Sequence, residues 1–257
     1  MGVRETIYGR NAVRECLRAG RRRVYKLFLA QGVRETSLVA EMVALAHQSG
    51  VAIERVERAT LDRIGPVNHQ GIAAEVSAYP YTDLEEILTQ AEKRDEPPFL
   101  LLLDCLEDPQ NLGTLLRTAE VVGVHGVVIP KRRAVGVTPA VVNASAGATE
   151  HLWVTRVTNL ARTIEKLKER GVWVVGLEDL PQAQLYSQFD LSGPLALVVG
   201  SEGRGMRRLV LESCDVVLRL PMRSHVGSLN AAVAGSIALY EVWRQRGANE
   251  FRTSLIT

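Results

Sequence analysis

The chain has 257 residues, room for one large domain or two modest ones, and its 46% hydrophobic content suits a globular protein. No apolar run approaches the ~18 residues of a membrane span, and the arginine-rich start lacks the apolar stretch and cleavage site of a secretory signal. A net charge of +2 does not by itself announce nucleic acid, and Cys16, Cys105 and Cys214, odd in number and without metal-type spacing, read as thiols of a reducing cytoplasm with no metal centre.

The distribution of charge says more. Residues 1–80 carry 12 Lys/Arg against 8 Asp/Glu, and residues 81–257 carry 19 against 21. Arg4, Arg10, Arg14, Arg18, Arg21, Arg22, Arg23 and Lys26 crowd the beginning, either as a phosphate footprint or as ordinary solvated charge. Residues 8–19 predict a short helix, with Ala12, Val13, Cys16 and Leu17 at helical spacing and Gly20 as its stop. A strand follows over 24–30, then a helix over 36–48 and a strand over 51–56. A helical turn over 61–64 and a strand over 72–76 complete a small α/β/α domain, residues 1–78. Before its last strand, Gly65-Pro66-Val67-Asn68-His69-Gln70-Gly71 is by composition a polar turn.

Residues 79–98 read as a linker that contains an amphipathic helix over 84–93, with Asp83 at its cap and a charged, proline-stiffened end. The second domain, residues 99–257, opens with the buried-strand run Phe99-Leu100-Leu101-Leu102-Leu103 and a helix reaching residue 122. Strands over 127–130, 152–154 and 172–176 alternate with a small-residue helix near 141–148 and a helix over 160–169. Lys131-Arg132-Arg133 forms a basic tip between the first of these strands and that small-residue helix. Alternation of this kind argues a mainly parallel sheet.

The densest stretch is 195–246. An apolar strand, Leu195-Ala196-Leu197-Val198-Val199, ends in Gly200-Ser201-Glu202-Gly203-Arg204-Gly205. A second short strand, Val216-Val217-Leu218-Arg219-Leu220, stops at Pro221-Met222. Ser228-Leu229-Asn230 then leads into a helix over 231–246. Loops at strand ends and a helix N-terminus are where open α/β sheets collect ligands. The glycine spacing is not G-x-G-x-x-G, and no Gly-Lys-Ser/Thr follows, so neither a dinucleotide fingerprint nor a phosphate loop is present. An ordinary Rossmann domain would carry its glycine loop after the first strand, where Asp104-Cys105-Leu106-Glu107 stands instead.

Three blocks together resemble the SpoU/TrmH family of RNA ribose 2'-O-methyltransferases, part of the SPOUT superfamily. They are Asn111-x-Gly113-x-x-x-Arg117-Thr118-Ala119, Gly200-Ser201-Glu202-Gly203-x-Gly205, and Leu220-Pro221-Met222 with Ser228-Leu229-Asn230, in the family's order over residues 99–246. The resemblance implies an α/β fold with a deep C-terminal trefoil knot, S-adenosylmethionine as cofactor, RNA as partner and a homodimer. Asn68-His69-Gln70-Gly71-Ile72 is similar to a loop in the L30e-like, N-terminal substrate-binding domain of the ribosomal RNA members. This favours the RlmB-like branch, which modifies a guanosine of 23S ribosomal RNA; the tRNA-modifying branch is the enzyme alternative.

By that resemblance Val199, Gly200, Leu220, Met222 and Leu229 hold the cofactor, and Asn68, His69 and Gln70 contact RNA together with Arg21, Arg22 and Arg23. Arg117 is the leading catalytic residue, with Asn111, Glu202, Ser228 and Asn230 around it. Arginine keeps its proton with an ordinary pKa above ~12, so stabilising the alkoxide that forms at the 2'-oxygen suits it better than acting as the base. The bland alternatives are an ion-paired helix arginine for Arg117 and helix capping for Ser228 and Asn230. A catalytically silent RNA-binding protein on the same fold is the rival from another class. The presence of all five polar motif residues speaks against it. For the dimer, Ile237, Leu239, Tyr240, Val242 and Trp243 offer more apolar surface than one groove needs.

Overall fold

The computed structural model describes residues 3–223 and 228–247. The early elements are β1 (Arg4–Tyr8), α1 (Arg10–Ala19), β2 (Val24–Ala30), α2 (Ser37–Gln48), β3 (Ala52–Val56), α3 (Arg58–Asp62) and β4 (Ile72–Ser77). Then come α4 (Leu84–Lys93), β5 (Phe99–Leu103), α5 (Pro109–Val121), β6 (Gly126–Pro130), α6 (Pro139–Ala144), β7 (Val154–Val157), α7 (Leu160–Glu169) and β8 (Trp173–Leu177). The last are β9 (Gln184–Leu185), β10 (Leu195–Val199), α8 (Arg208–Ser213), β11 (Val216–Arg219) and α9 (Ala231–Gln245). Among the described residues no helix is long and apolar enough to cross a membrane. The contacts divide the chain into two compact units.

The first unit holds Met1–Tyr81 together with Asp108–Arg117 and Val135–Leu152, so it extends beyond residues 1–78 by two later segments. Its sheet runs β1-β4-β2-β3, with β2 and β3 parallel and the other pairs antiparallel. The central strand β4 buries Ile72, Ala73, Ala74 and Val76. Helix α1 buries the four apolar residues that its spacing predicts and stops at Gly20, whose φ of 62° returns its N–H to the Cys16 carbonyl. Strand β1 is not anticipated by the sequence pattern, because only Ile7 and Tyr8 of its five residues are buried. The predicted turn over 61–64 is displaced to α3, which buries Leu61.

Within this unit the arginines diverge in role. The Arg22 side chain is fully buried and paired with Glu5 at 2.5 Å and with buried Glu150 at 3.3 Å, while Nε donates to the Ser77 carbonyl at 2.8 Å. Burial pushes the Glu150 carboxyl up and Arg22 opposes it; burial and Glu150 both drive the Cys16 thiol up. Arg21 donates to the carbonyls of Glu150 and Leu152, and the Tyr79 hydroxyl donates to those of Thr149 and Leu152. Asn143 Nδ2 reaches the Tyr8 carbonyl at 3.0 Å. Arg22 is therefore a structural ion, which corrects its assignment to RNA; Arg23 remains exposed, beside the Tyr25 ring.

The second unit holds Thr82–Glu107, Thr118–Ala134 and Trp153–Thr257. Its sheet, β7-β6-β5-β10-β8-β11-β9, is parallel at every pairing. Strands β5, β6 and β10 are buried along their whole length, as expected of parallel strands covered on both faces. The stretch read as a linker contains α4, whose Ile87 and Leu88 join the core around Leu100, Leu102, Val128 and Ile164. Asp83 stands at the cap of α4, yet its side chain accepts no bond there. The strand predicted over 152–154 begins only at Val154, because a 3-10 turn, Ala148–Glu150, occupies the chain just before it.

Removing one partner of a buried ion pair typically destabilises by about 3–5 kcal/mol. Arg22→Ala should therefore lower unfolding free energy in urea by about that amount, whereas Arg23→Ala should change it by less than about 0.5 kcal/mol.

Candidate active site

In the second unit, register places Val199 level with Leu103 of β5 and Leu177 of β8, so three parallel strands end together. Strand β5 continues into Asp104, β8 into Glu178 and β10 into Gly200, so the glycine is flanked by two acidic residues. The loop after β10 is a small hairpin. Ser201 N–H donates to the Gly205 carbonyl at 3.1 Å and Gly205 N–H returns to Ser201 at 3.0 Å, leaving Glu202, Gly203 and Arg204 at its tip. Gly203 and Gly205 take φ of 76° and 64°, the left-handed region that glycine enters without strain.

Gly200 is constrained by packing. A Cβ there would sit 2.5 Å from the Met206 nitrogen and collide with the Gly205 carbonyl carbon. Two carboxylates fasten the far end of the loop. Glu178 accepts the Met206 N–H at 3.0 Å, and buried Asp104 accepts the Arg207 N–H at 2.7 Å and its Nε at 2.8 Å. Met206 itself is buried in the core with Val174, Val198 and Val210. Neither carboxylate belongs to a motif, and the sequence marks each only as an acidic residue immediately after a buried strand.

The start of α9 faces this loop. Asn230 caps the helix, its Oδ1 accepting the N–H groups of Ala232 and Val233 at 3.0 and 3.2 Å. Its Nδ2 donates to Glu202 Oε2 at 3.3 Å. Capping and a motif contact are thus combined in one side chain. Between the loop, the end of β11 and α9 lies a cavity of about 560 Å³. Val199, Gly200, Leu220, Met222 and Leu229 all line it, as do Glu202, Ser228, Glu178 and Asp179. Met222 and Leu229 are exposed apolar side chains, 36% and 41% accessible, at the cavity wall. An apolar lining with a few placed polar groups is the usual character of a small-molecule site.

Asn111 and Arg117 lie in the first unit, on α5. Asp108 caps that helix by accepting the Gln110 and Asn111 N–H groups at 3.2 and 3.0 Å. The glycine of this block permits close packing on α6: a Cβ at Gly113 would lie 2.9 Å from the Ser145 nitrogen. Arg117 is solvent-exposed and, among the described residues, in no ion pair. Two of the three loop residues expected on RNA are engaged internally. His69 is buried; Gly71 N–H donates to its Nδ1 at 3.0 Å, so Nε2 carries the proton and donates to Asp62 at 2.8 Å. Gln70, at φ 54°, accepts the Arg10 N–H at the start of α1. Asn68 is exposed.

A cavity at the carboxyl ends of a parallel sheet, walled by a hairpin loop and a capped helix, defines a ligand-binding α/β enzyme fold. Residues 98–240 match the SpoU rRNA Methylase family, and residues 6–82 match the RNA 2'-O ribose methyltransferase substrate-binding domain. A Bacillus subtilis protein assigned to the TrmH family of tRNA/rRNA methyltransferases, YacO, is 50% identical over 240 residues, covering 93% of this chain and 95% of its own. The chain belongs to the SpoU/TrmH family of RNA methyltransferases. In fold it is similar to the SpoU methyltransferase AviRb from Streptomyces viridochromogenes, in complex with the cofactor AdoMet, with TM-score 0.78 at 24% identity over 95% of this chain and 91% of that one. The AdoMet-bound rRNA methyltransferase from Sinorhizobium meliloti gives TM-score 0.76 at 24% identity, covering 94% of this chain and 87% of that one.

Overpacking of a tight site costs about 1–3 kcal/mol. Gly200→Ala should lose stability in that range and disturb the hairpin before any ligand is considered. Gly193→Ala, where a Cβ meets nothing within 4 Å, is the control and should leave the urea midpoint close to the parent's.

Proposed function

We propose that this protein transfers a methyl group from S-adenosylmethionine to the 2'-oxygen of a guanosine ribose in 23S ribosomal RNA. The observation that carries the reading is the gathering of Val199, Gly200, Leu220, Met222 and Leu229 around one cavity. The apolar side chains of Val199, Leu220, Met222 and Leu229 suit an adenine ring and a methylene chain. Glu178, Asp179 and Glu202 against Arg204 give the lining an excess of negative charge, which suits a sulfonium and an ammonium. When bound, S-adenosylmethionine would supply an electrophilic methyl on its sulfonium and leave as the thioether S-adenosylhomocysteine, with the proton of the 2'-hydroxyl passing to solvent.

The chain's own contribution is positioning and electrostatics. The hairpin arrives preformed, with Glu178 and Asp104 holding its far end. Asn230 sets Glu202 at the cavity, where the pair orients the incoming nucleotide. Arg117 is assigned to the developing alkoxide, its planar fork suiting a phosphate and an oxyanion together. The match of residues 6–82 to an RNA 2'-O ribose methyltransferase substrate-binding domain supports an RNA ribose as acceptor, and the resemblance of Asn68-His69-Gln70-Gly71-Ile72 to the ribosomal RNA members favours ribosomal over transfer RNA. The deep knot belongs to the same reading. Mapping 2'-O-methyl sites in ribosomal and transfer RNA, from cells with and without the protein, tests the substrate; a lost tRNA site would replace the ribosomal assignment.

Removal of a preorganised oxyanion donor typically costs about 10²–10³ in rate. Arg117→Ala should therefore bind S-adenosylmethionine almost as the parent does and methylate slower by that factor under single-turnover conditions, with Arg117→Lys recovering little. A parental single-turnover rate in Arg117→Ala would remove Arg117 from the mechanism.

We further propose a homodimer through α9. Leu239 and Val242 are buried within the unit, while Val233, Ile237 and Tyr240, at helical spacing, stay exposed on one face. Light scattering at micromolar concentration should give twice the chain mass, and Ile237→Glu with Tyr240→Glu should shift it toward the monomer. A monomeric parent would overturn this assembly.

A further inference from the structure

Most of the N-terminal arginine cluster is neutralised internally. Arg4 pairs with Glu75, Arg14 with Glu15, Arg18 with Glu15 and Glu41, Arg22 with Glu5 and Glu150, and Lys26 with Glu54. The basic tip after β6 differs. Lys131, Arg132 and Arg133 are consecutive and exposed, and among the described residues none of the three is in an ion pair. The base of this loop is fixed at both polar groups of Lys131: its N–H donates to the Val157 carbonyl at 2.8 Å, and its carbonyl accepts Arg156 Nη2 at 3.1 Å. Arg156 thereby adds an exposed fourth cation from β7. Arg133 takes φ 57°, a left-handed conformation uncommon for a residue other than glycine and frequent at binding loops.

Position gives this cluster its meaning. All the strands of the second unit's sheet run parallel, so the ends of β6 and β7 lie on the same edge as the end of β10 and its hairpin. Two and three strand spacings separate them from β10, roughly 10 and 15 Å. A strand of RNA whose target ribose meets the cavity presents its flanking phosphates at that range.

We propose that Lys131, Arg132 and Arg133, with Arg156 beside them, form a phosphate clamp that holds the RNA backbone next to the nucleotide being methylated. It rests on the reading of the chain as an RNA ribose methyltransferase. The clamp reads charge and not sequence, as phosphate contacts do. It positions the strand independently of the cofactor.

The test uses the full chain and deproteinised ribosomal RNA from cells lacking the protein. The triple variant Lys131→Gln, Arg132→Gln, Arg133→Gln should bind this RNA at least about tenfold more weakly at low salt. Each single-strand phosphate contact contributes about 0.7 to the slope of log K against log salt, so the slope should fall by about two. Affinity for S-adenosylmethionine and melting temperature should match the parent's. Arg132→Lys with Arg133→Lys keeps the charge and should keep the parental slope. A triple variant with parental affinity and slope, in a parent that methylates the RNA, overturns the clamp alone. A parent that neither binds nor methylates RNA overturns both the clamp and the reading beneath it.

Discussion

Everything at the cavity depends on the close approach of Gly200 to the backbone of Gly205 and Met206. The hairpin folds back on its own stem, and no side chain at position 200 leaves room for that. Such a contact needs something to hold it, since backbone amides turned inward without acceptors are unfavourable. Asp104 and Glu178 meet that need from the neighbouring strands, each accepting an amide at the loop's far end. The two acids bracket β10 because β5 and β8 flank it in register. The shape of the site is thus decided by sheet order. The motif residues decorate a geometry that two unremarked carboxylates maintain.

The same division of labour recurs in the first unit. A lone buried arginine would be unstable, and Arg22 is tolerated because Glu5, Glu150 and the Ser77 carbonyl meet its guanidinium from three directions. Buried ionic groups of this kind select one arrangement of their partners more than they add stability. Here they tie β1, the end of β4 and the turn at Ala148–Glu150 together. Exposed charge is left for the surfaces that meet solvent or RNA.

How much of this was legible beforehand follows from the range of each signal. Strand β2 and helix α7 match their predicted bounds, since β-rich composition and helical spacing are written locally. Helix α8 and strand β9, six and two residues long, carry too little periodicity to be seen. The cofactor positions were legible through motif spacing, and they do converge on one cavity. The roles of His69 and Gln70 were not. Their bonds to Asp62, Gly71 and Arg10 depend on how the loop turns, and a polar side chain offers the same groups to RNA as to its own backbone. Arg22 looks like its exposed neighbours in the sequence for a related reason: its partner Glu150 lies 128 residues away.

The pairing of Arg22 with Glu150 also sets an order of events during synthesis. The first unit draws on Met1–Tyr81 and then on segments that end at Leu152. A nascent chain that has released only its first four strands holds a buried arginine short of one carboxylate. At ~5–20 residues per second, the ribosome needs roughly 4–15 seconds more to deliver it. During that interval Arg22 has only Glu5 and the Ser77 carbonyl to meet it, so its final burial waits on the later segment.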